Sequence, residues 1–134
     1  MKRLDLLTEK DLLSDSHYPV QVVFNDVYAD QFSDTIINYV VRGHGFGTEY
    51  GACVFPDDLD EYDIVTGGKF HGVEFGLHNG EEILLDYDTF FYYLKKVCKR
   101  YLIEKPDEKE AIRAALSDFQ FHYCNNIKNS NFPH

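Results

Sequence analysis

Apolar residues recur at helical spacing along several stretches of this chain and alternate with polar ones along another, so helix and strand periods are both written into it. From Asp30 to Val41, Phe32, Ile36, Tyr39 and Val40 fall at i, i+4, i+7 and i+8 and predict one helix, stopped by Gly43, Gly45 and Gly47. From Tyr87 to Leu102, Phe90, Leu94, Val97 and Tyr101 form the buried stripe of a longer helix whose first turn Asp86 or Asp88 can cap. Pro106 separates it from a last helix, where Asp107 and Glu110 have capping-box spacing and Ile112, Leu116, Phe119 and Tyr123 fall on one face. The strand period is clearest in GVEFGLHNGEEILLDY. Val73, Phe75 and Leu77 alternate with Glu74 and Gly76, Asn79-Gly80 predicts a type I′ turn, and Glu82 to Asp86 returns as the second strand. YGACVF, and the apolar run Val20 to Phe24 that follows Pro19, also read as strands. Leu4, Leu7 and Leu12 give the first dozen residues only a weak amphipathic pattern, and the tail NNIKNSNFPH is polar. The expected architecture is α+β, a mostly antiparallel β-sheet packed with helices.

At 134 residues the chain is near the commonest domain size, and eleven Phe with ten Tyr supply ample core. One domain over 1–134 is expected, with 1–25 and 125–134 not assigned to its body. No apolar run is long enough for a membrane span, and the charged start MKRLDLLTEKDLL has no signal-peptide core, so a cytoplasmic protein is expected. Cys53, Cys98 and Cys124 share no metal-ligand spacing with one another or with His, and read as free, buried thiols.

The formal net charge of −10 changes the picture most. A polyanion repels phosphate backbones and attracts basic proteins, which argues against direct nucleic-acid binding. A local basic cluster, Lys95, Lys96, Lys99 and Arg100, stands against that trend. The acid is concentrated in FPDDLDEYD, where Asp57, Asp58, Asp60, Glu61 and Asp63 crowd around Tyr62 with no cation among them, in a loop closed by Gly67-Gly68. This loop lacks the alternating oxygens and central glycine of a calcium loop. Its carboxylates, neighbours on one segment, do not make the pair across a cleft that a two-carboxylate hydrolase needs. A solvated turn and a partner-binding patch both remain open.

Catalytic signatures are absent. His17, His44, His71, His78, His122 and His134 form no HxH or HExxH pair. RGHGFG has neither dinucleotide-loop nor Walker spacing, and reads as a flexible helix-to-strand loop. No serine sits in a GxSxG elbow. No catalytic residue, metal site or cofactor is expected.

GHGFGTEYGACVFPDDLDEYD and GGKFHGVEFGLHNGEEILLDYDTFFYYLKKVCKRYLIEKPDEKEAI resemble the CdiI-type immunity proteins of contact-dependent growth inhibition systems. The marks are the Gly-Phe-Gly turn before the FPDD stretch, the FHGVEF strand, and the tyrosine-rich helix carrying Cys98 and KRY. The resemblance spans roughly residues 30 to 112. It implies a cytoplasmic non-enzyme that binds the cognate CdiA C-terminal nuclease toxin domain, a basic protein, and blocks its RNA. It does not say which residues make contact. On charge alone, the expected toxin-binding residues are Asp57, Asp58, Asp60, Glu61, Tyr62 and Asp63, followed by Glu74, Glu81 and Glu82. An acidic adaptor domain for another basic protein is the alternative, then a small hydrolase whose site assembles only in space, then a single-strand binder built on the basic cluster.

Overall fold

The computed structural model describes residues 6–27, 30–56 and 72–125. Its helices are α1 (Tyr18–Asn25), α2 (Phe32–Asn38), α3 (Tyr87–Glu104) and α4 (Lys109–Phe119). Its strands are β1 (Phe46–Gly47), β2 (Gly51–Val54), β3 (Val73–Leu77) and β4 (Glu82–Leu85), joined in the order β1-β2-β3-β4 with every pair antiparallel. The fold is therefore α+β, an antiparallel meander packed with helices.

The chain enters through a short 3-10 turn, Glu9–Asp11, and a second, Asp15–His17. The run expected as a strand at Val20 to Phe24 is instead helix α1. Pro19 lies in its first turn, where a missing N–H costs no hydrogen bond. Val20, Val23, Phe24 and Val27 are buried, which is helical i, i+3, i+4, i+7 spacing. Their near-continuous apolarity had masked the period. Asn25 then ties the entering chain down: its Oδ1 accepts from the Leu6 and Leu7 amides at 2.8 and 2.9 Å, and its Nδ2 donates to the Leu7 carbonyl at 2.8 Å.

Helix α2 is shorter than its apolar spacing predicts. It gives way to a 3-10 turn, Val40–Arg42, which ends at Gly43 with φ 79°. The tighter winding changes the phase of the buried stripe. Phe32, Ile36 and Val40 go inward, while Tyr39, expected inward, is 47% exposed. RGHGFG is also more ordered than a loop: Phe46–Gly47 pairs with Cys53 and Ala52 to make β1.

The β3–β4 hairpin forms where expected, with a different turn. The Gly80 amide donates to the Leu77 carbonyl at 2.9 Å and the Leu77 amide to the Glu81 carbonyl at 2.7 Å. Gly80 has φ 99°, whereas no described non-glycine residue has positive φ. A type I′ turn needs two such residues, so the loop is the three-residue kind with a glycine bulge. Asn79 stabilises it otherwise, its Oδ1 accepting from the Glu81 amide at 2.9 Å.

Helix α3 starts on Asp86, whose carboxylate accepts from the Thr89 amide at 2.7 Å; Asp88 is not the cap. Phe90, Leu94, Val97 and Tyr101 are buried as expected, joined by Phe91, Tyr93 and Cys98. The capping box expected at Asp107 and Glu110 does not form. Pro106 opens a 3-10 turn, Glu108 takes the cap position of α4, and its carboxylate accepts the Tyr101 hydroxyl rather than a helix amide. In α4, Ile112, Ala115 and Phe119 are buried, with Leu116 and Tyr123 half-buried against them. A π-helical turn, Gln120–Asn125, follows.

Aromatic rings join the layers. Phe90 of α3 lies 6.2 Å from Phe24, 5.8 Å from Phe75, 5.7 Å from Phe55 and 5.4 Å from Phe119, centroid to centroid. One ring thereby contacts α1, the sheet and α4.

Candidate functional site

Strand alternation divides the sheet into two faces. Cys53, Val73, Phe75 and Leu85 turn inward and are buried. Ala52 and Val54 of β2, Glu74 and Gly76 of β3, and Glu82 and Leu84 of β4 share the opposite face. Register places Glu74 between Val54 and Leu84, and Gly76 between Ala52 and Glu82. Glu74 and Glu82 are therefore diagonal neighbours on adjacent strands, within reach of each other.

Partial burial raises the Glu74 carboxyl above its ordinary pKa, and the charge of Glu82 raises it further. Neither faces a cation among the described residues. Glu81, at the turn, is exposed, with its carboxylate bonded by the Asn79 side-chain amide at 2.8 Å. Asp57, Asp58, Asp60, Glu61, Tyr62 and Asp63 lie outside the described residues. The residues that bracket that stretch, Pro56 and Gly72, follow Val54 and precede Val73, so both stand at the Glu74 end of the sheet.

The basic cluster on α3 is largely engaged within the fold. Arg100 donates through both terminal nitrogens to Asp11 and also to the Leu6 carbonyl. Lys96 lies 3.7 Å from Asp11 and over the Tyr92 ring, and Lys95 lies over Phe91. Other groups that chemistry might have used are structural. Cys53, Cys98 and Cys124 are buried, and burial pushes the Cys98 thiol far above its ordinary range. His17 sits 2.7 Å from the Tyr93 hydroxyl, and burial lowers its pKa. Among the described residues no three His, Cys, Asp or Glu side chains gather to hold a metal ion. No described helix is long and apolar enough to cross a membrane.

The sequence profile of a family described as CDI immunity protein matches residues 14–116, more than three quarters of the chain. The chain belongs to the CDI immunity protein family. No curated protein matches it. The match covers both faces of the sheet, all of α1 to α3, and most of α4. The protein is thus an immunity protein of a contact-dependent growth inhibition system, and a partner-binding surface is the feature to seek in it.

One concave feature escaped the sequence. Tyr18, Gln21, Val22, Asn25, Asp26 and Tyr50 line a notch of about 250 Å³ between α1 and the β1–β2 turn. Its signal was present: Tyr18, Gln21, Val22 and Asn25 have helical i, i+3, i+4, i+7 spacing. Reading this run as a strand scattered them over two faces.

Proposed function

We propose that this immunity protein binds and neutralises the C-terminal ribonuclease domain of its cognate toxin, covering a basic RNA-binding cleft with an anionic surface. Membership of the CDI immunity protein family carries the reading. A ribonuclease holds phosphates with cations, and a net charge of −10 is complementary to such a cleft. Asp57, Asp58, Asp60, Glu61, Tyr62 and Asp63 supply most of the contact, with Glu74, Glu81 and Glu82 extending it across the hairpin. The Glu74–Glu82 pair supports this choice, because mutual repulsion in the free protein is relieved when a cation arrives. Close charge pairs at another nuclease–inhibitor interface couple by about 1.5–7 kcal/mol.

Co-expression with the toxin domain tests the function: cells carrying both should grow with intact RNA, and cells that lose their RNA and die would refute it. Replacing Asp57, Asp58 and Asp60 together by Lys should weaken toxin binding by well over tenfold. Unchanged affinity would move the interface away from this segment.

A further inference from the structure

The carboxylate surface gives charge but no aromatic anchor within the described residues, and the notch between α1 and the β1–β2 turn offers two. Tyr18 is 43% exposed and Tyr50 is 52% exposed, and both border it. Exposed tyrosines beside a depression are the side chains most enriched among binding hot spots. Between them, Gln21 Oε1 is shut off from solvent and accepts no hydrogen bond. A terminal amide turns over a broad torsional range, so this oxygen can swing towards the notch at small cost. Asp26 adds a carboxylate to the wall, its Oδ2 accepting from the Tyr50 amide at 3.1 Å. Among the described residues no Lys, Arg or His lines the notch.

We propose that this notch receives an arginine side chain of the toxin domain, an inference that rests on the toxin-binding function above. The occupant must donate hydrogen bonds, because the Asp26 carboxylate borders the notch and a turn of the Gln21 amide would bring its unmet oxygen there. It must also pack beside two tyrosine side chains. A guanidinium does both: it carries only donors, it is planar, and it stacks on aromatic faces. An apolar side chain would leave Gln21 Oε1 unmet, an anion would meet the Asp26 carboxylate, and a lysine ammonium is a strongly hydrated point charge that stacks less well. The notch also has the right neighbours. The His78 amide donates to the Tyr50 carbonyl at 2.9 Å, which seats the β3–β4 turn and Glu81 beside it. An arginine held here therefore stands near Glu81 of that turn, on the α1 side of the sheet.

Calorimetric titration of the toxin domain into the full-length protein and its variants tests the proposal. Tyr18→Ala and Tyr50→Ala should each weaken binding about tenfold or more while leaving the circular dichroism spectrum unchanged, since both rings are exposed. Tyr18→Phe and Tyr50→Phe should keep most of the affinity, because the ring face carries the contact. Gln21→Glu puts a carboxylate in place of the amide and should tighten binding severalfold. Alanine variants within about twofold of the parent, or a Gln21→Glu variant that binds more weakly, would overturn it. A toxin-independent arm separates the two claims. Arginine amide should shift the Tyr18 and Tyr50 ring resonances in NMR spectra, and lysine amide at equal concentration should not. If the parent protein fails to bind toxin, the functional reading falls, and the arginine amide titration decides the notch by itself. Equal responses to the two amides, or none, would exclude a guanidinium site.

Discussion

Asp11 lies under two cations, the Arg100 guanidinium and, 3.7 Å away, the Lys96 ammonium, with only 9% of its side chain exposed. It also accepts from the Thr8 amide and hydroxyl at 2.8 and 3.1 Å. The Arg100 hydrogen bonds hold its carboxyl well below the usual carboxylate range, against the opposing effect of burial. A depressed native pKa means that the native state binds fewer protons than the unfolded chain, so the associated stability is present above the unfolded value and lost as pH falls towards the native one. Asp11→Asn should therefore cost about 1–2 kcal/mol at pH 7, a figure lowered for the partial exposure of Arg100. The gap between parent and variant should begin to close below the ordinary Asp value of 3.8 and keep narrowing into stronger acid. Urea titrations at pH 7, 4 and 2.5 check this, and a gap independent of pH would show that the contact is not electrostatic. None of this was legible locally. The sequence marks Lys96 and Arg100 as a cationic patch suited to solvent or phosphate, and only the docking of residues 6–13 against α3 turns them into a clamp.

Among the elements, the turns show how local chemistry chooses a conformation. Gly80 has φ 99° and open space where a Cβ would stand, so Gly80→Ala costs only the left-handed backbone, about 1–2 kcal/mol. Gly72 has φ 110°, and a Cβ there would clash with the Leu85 carbonyl oxygen. Gly72→Ala should cost clearly more, because β4 backbone must move in addition. Denaturant midpoints of the two variants should fall in that order, and equal losses would show that the hairpin shifts freely. The hairpin, α3 and β2 were readable because their periods are clean and their ends carry Asn-Gly, Asp86 and Gly51. The α1 segment was not, because a short run apolar at most positions has no visible period. That one error also hid the Tyr18 and Gln21 face, so the misread helix and the overlooked notch have a common origin. The tightening of α2 at Tyr39 and the use of Glu108 by Tyr101 depend on neighbours distant in sequence or on backbone phase, which periodicity does not register.

At the level of the whole molecule, the proposed function makes charge the means by which the toxin is found. A net charge of −10 should make the association rate with a cationic toxin domain fall steeply as salt rises, whereas dissociation should respond much less. Stopped-flow mixing over a range of ionic strength checks this; an association rate indifferent to salt would remove steering from the account. Replacing Asp57, Asp58 and Asp60 by Lys should flatten the slope. The core that presents this charge is aromatic, and Phe90 is its junction.

Composition and period alone established an α+β chain, the meander's hairpin, the long tyrosine-rich helix, three buried thiols and a net charge of −10, since each follows from which residues are present and how the apolar ones are spaced. Folding decided which acids are neighbours, which cations are already engaged by Asp11, and where two exposed tyrosines border a notch. Those are relations between residues far apart in the chain. Their energies depend on distance through space, a quantity that spacing along the sequence does not contain.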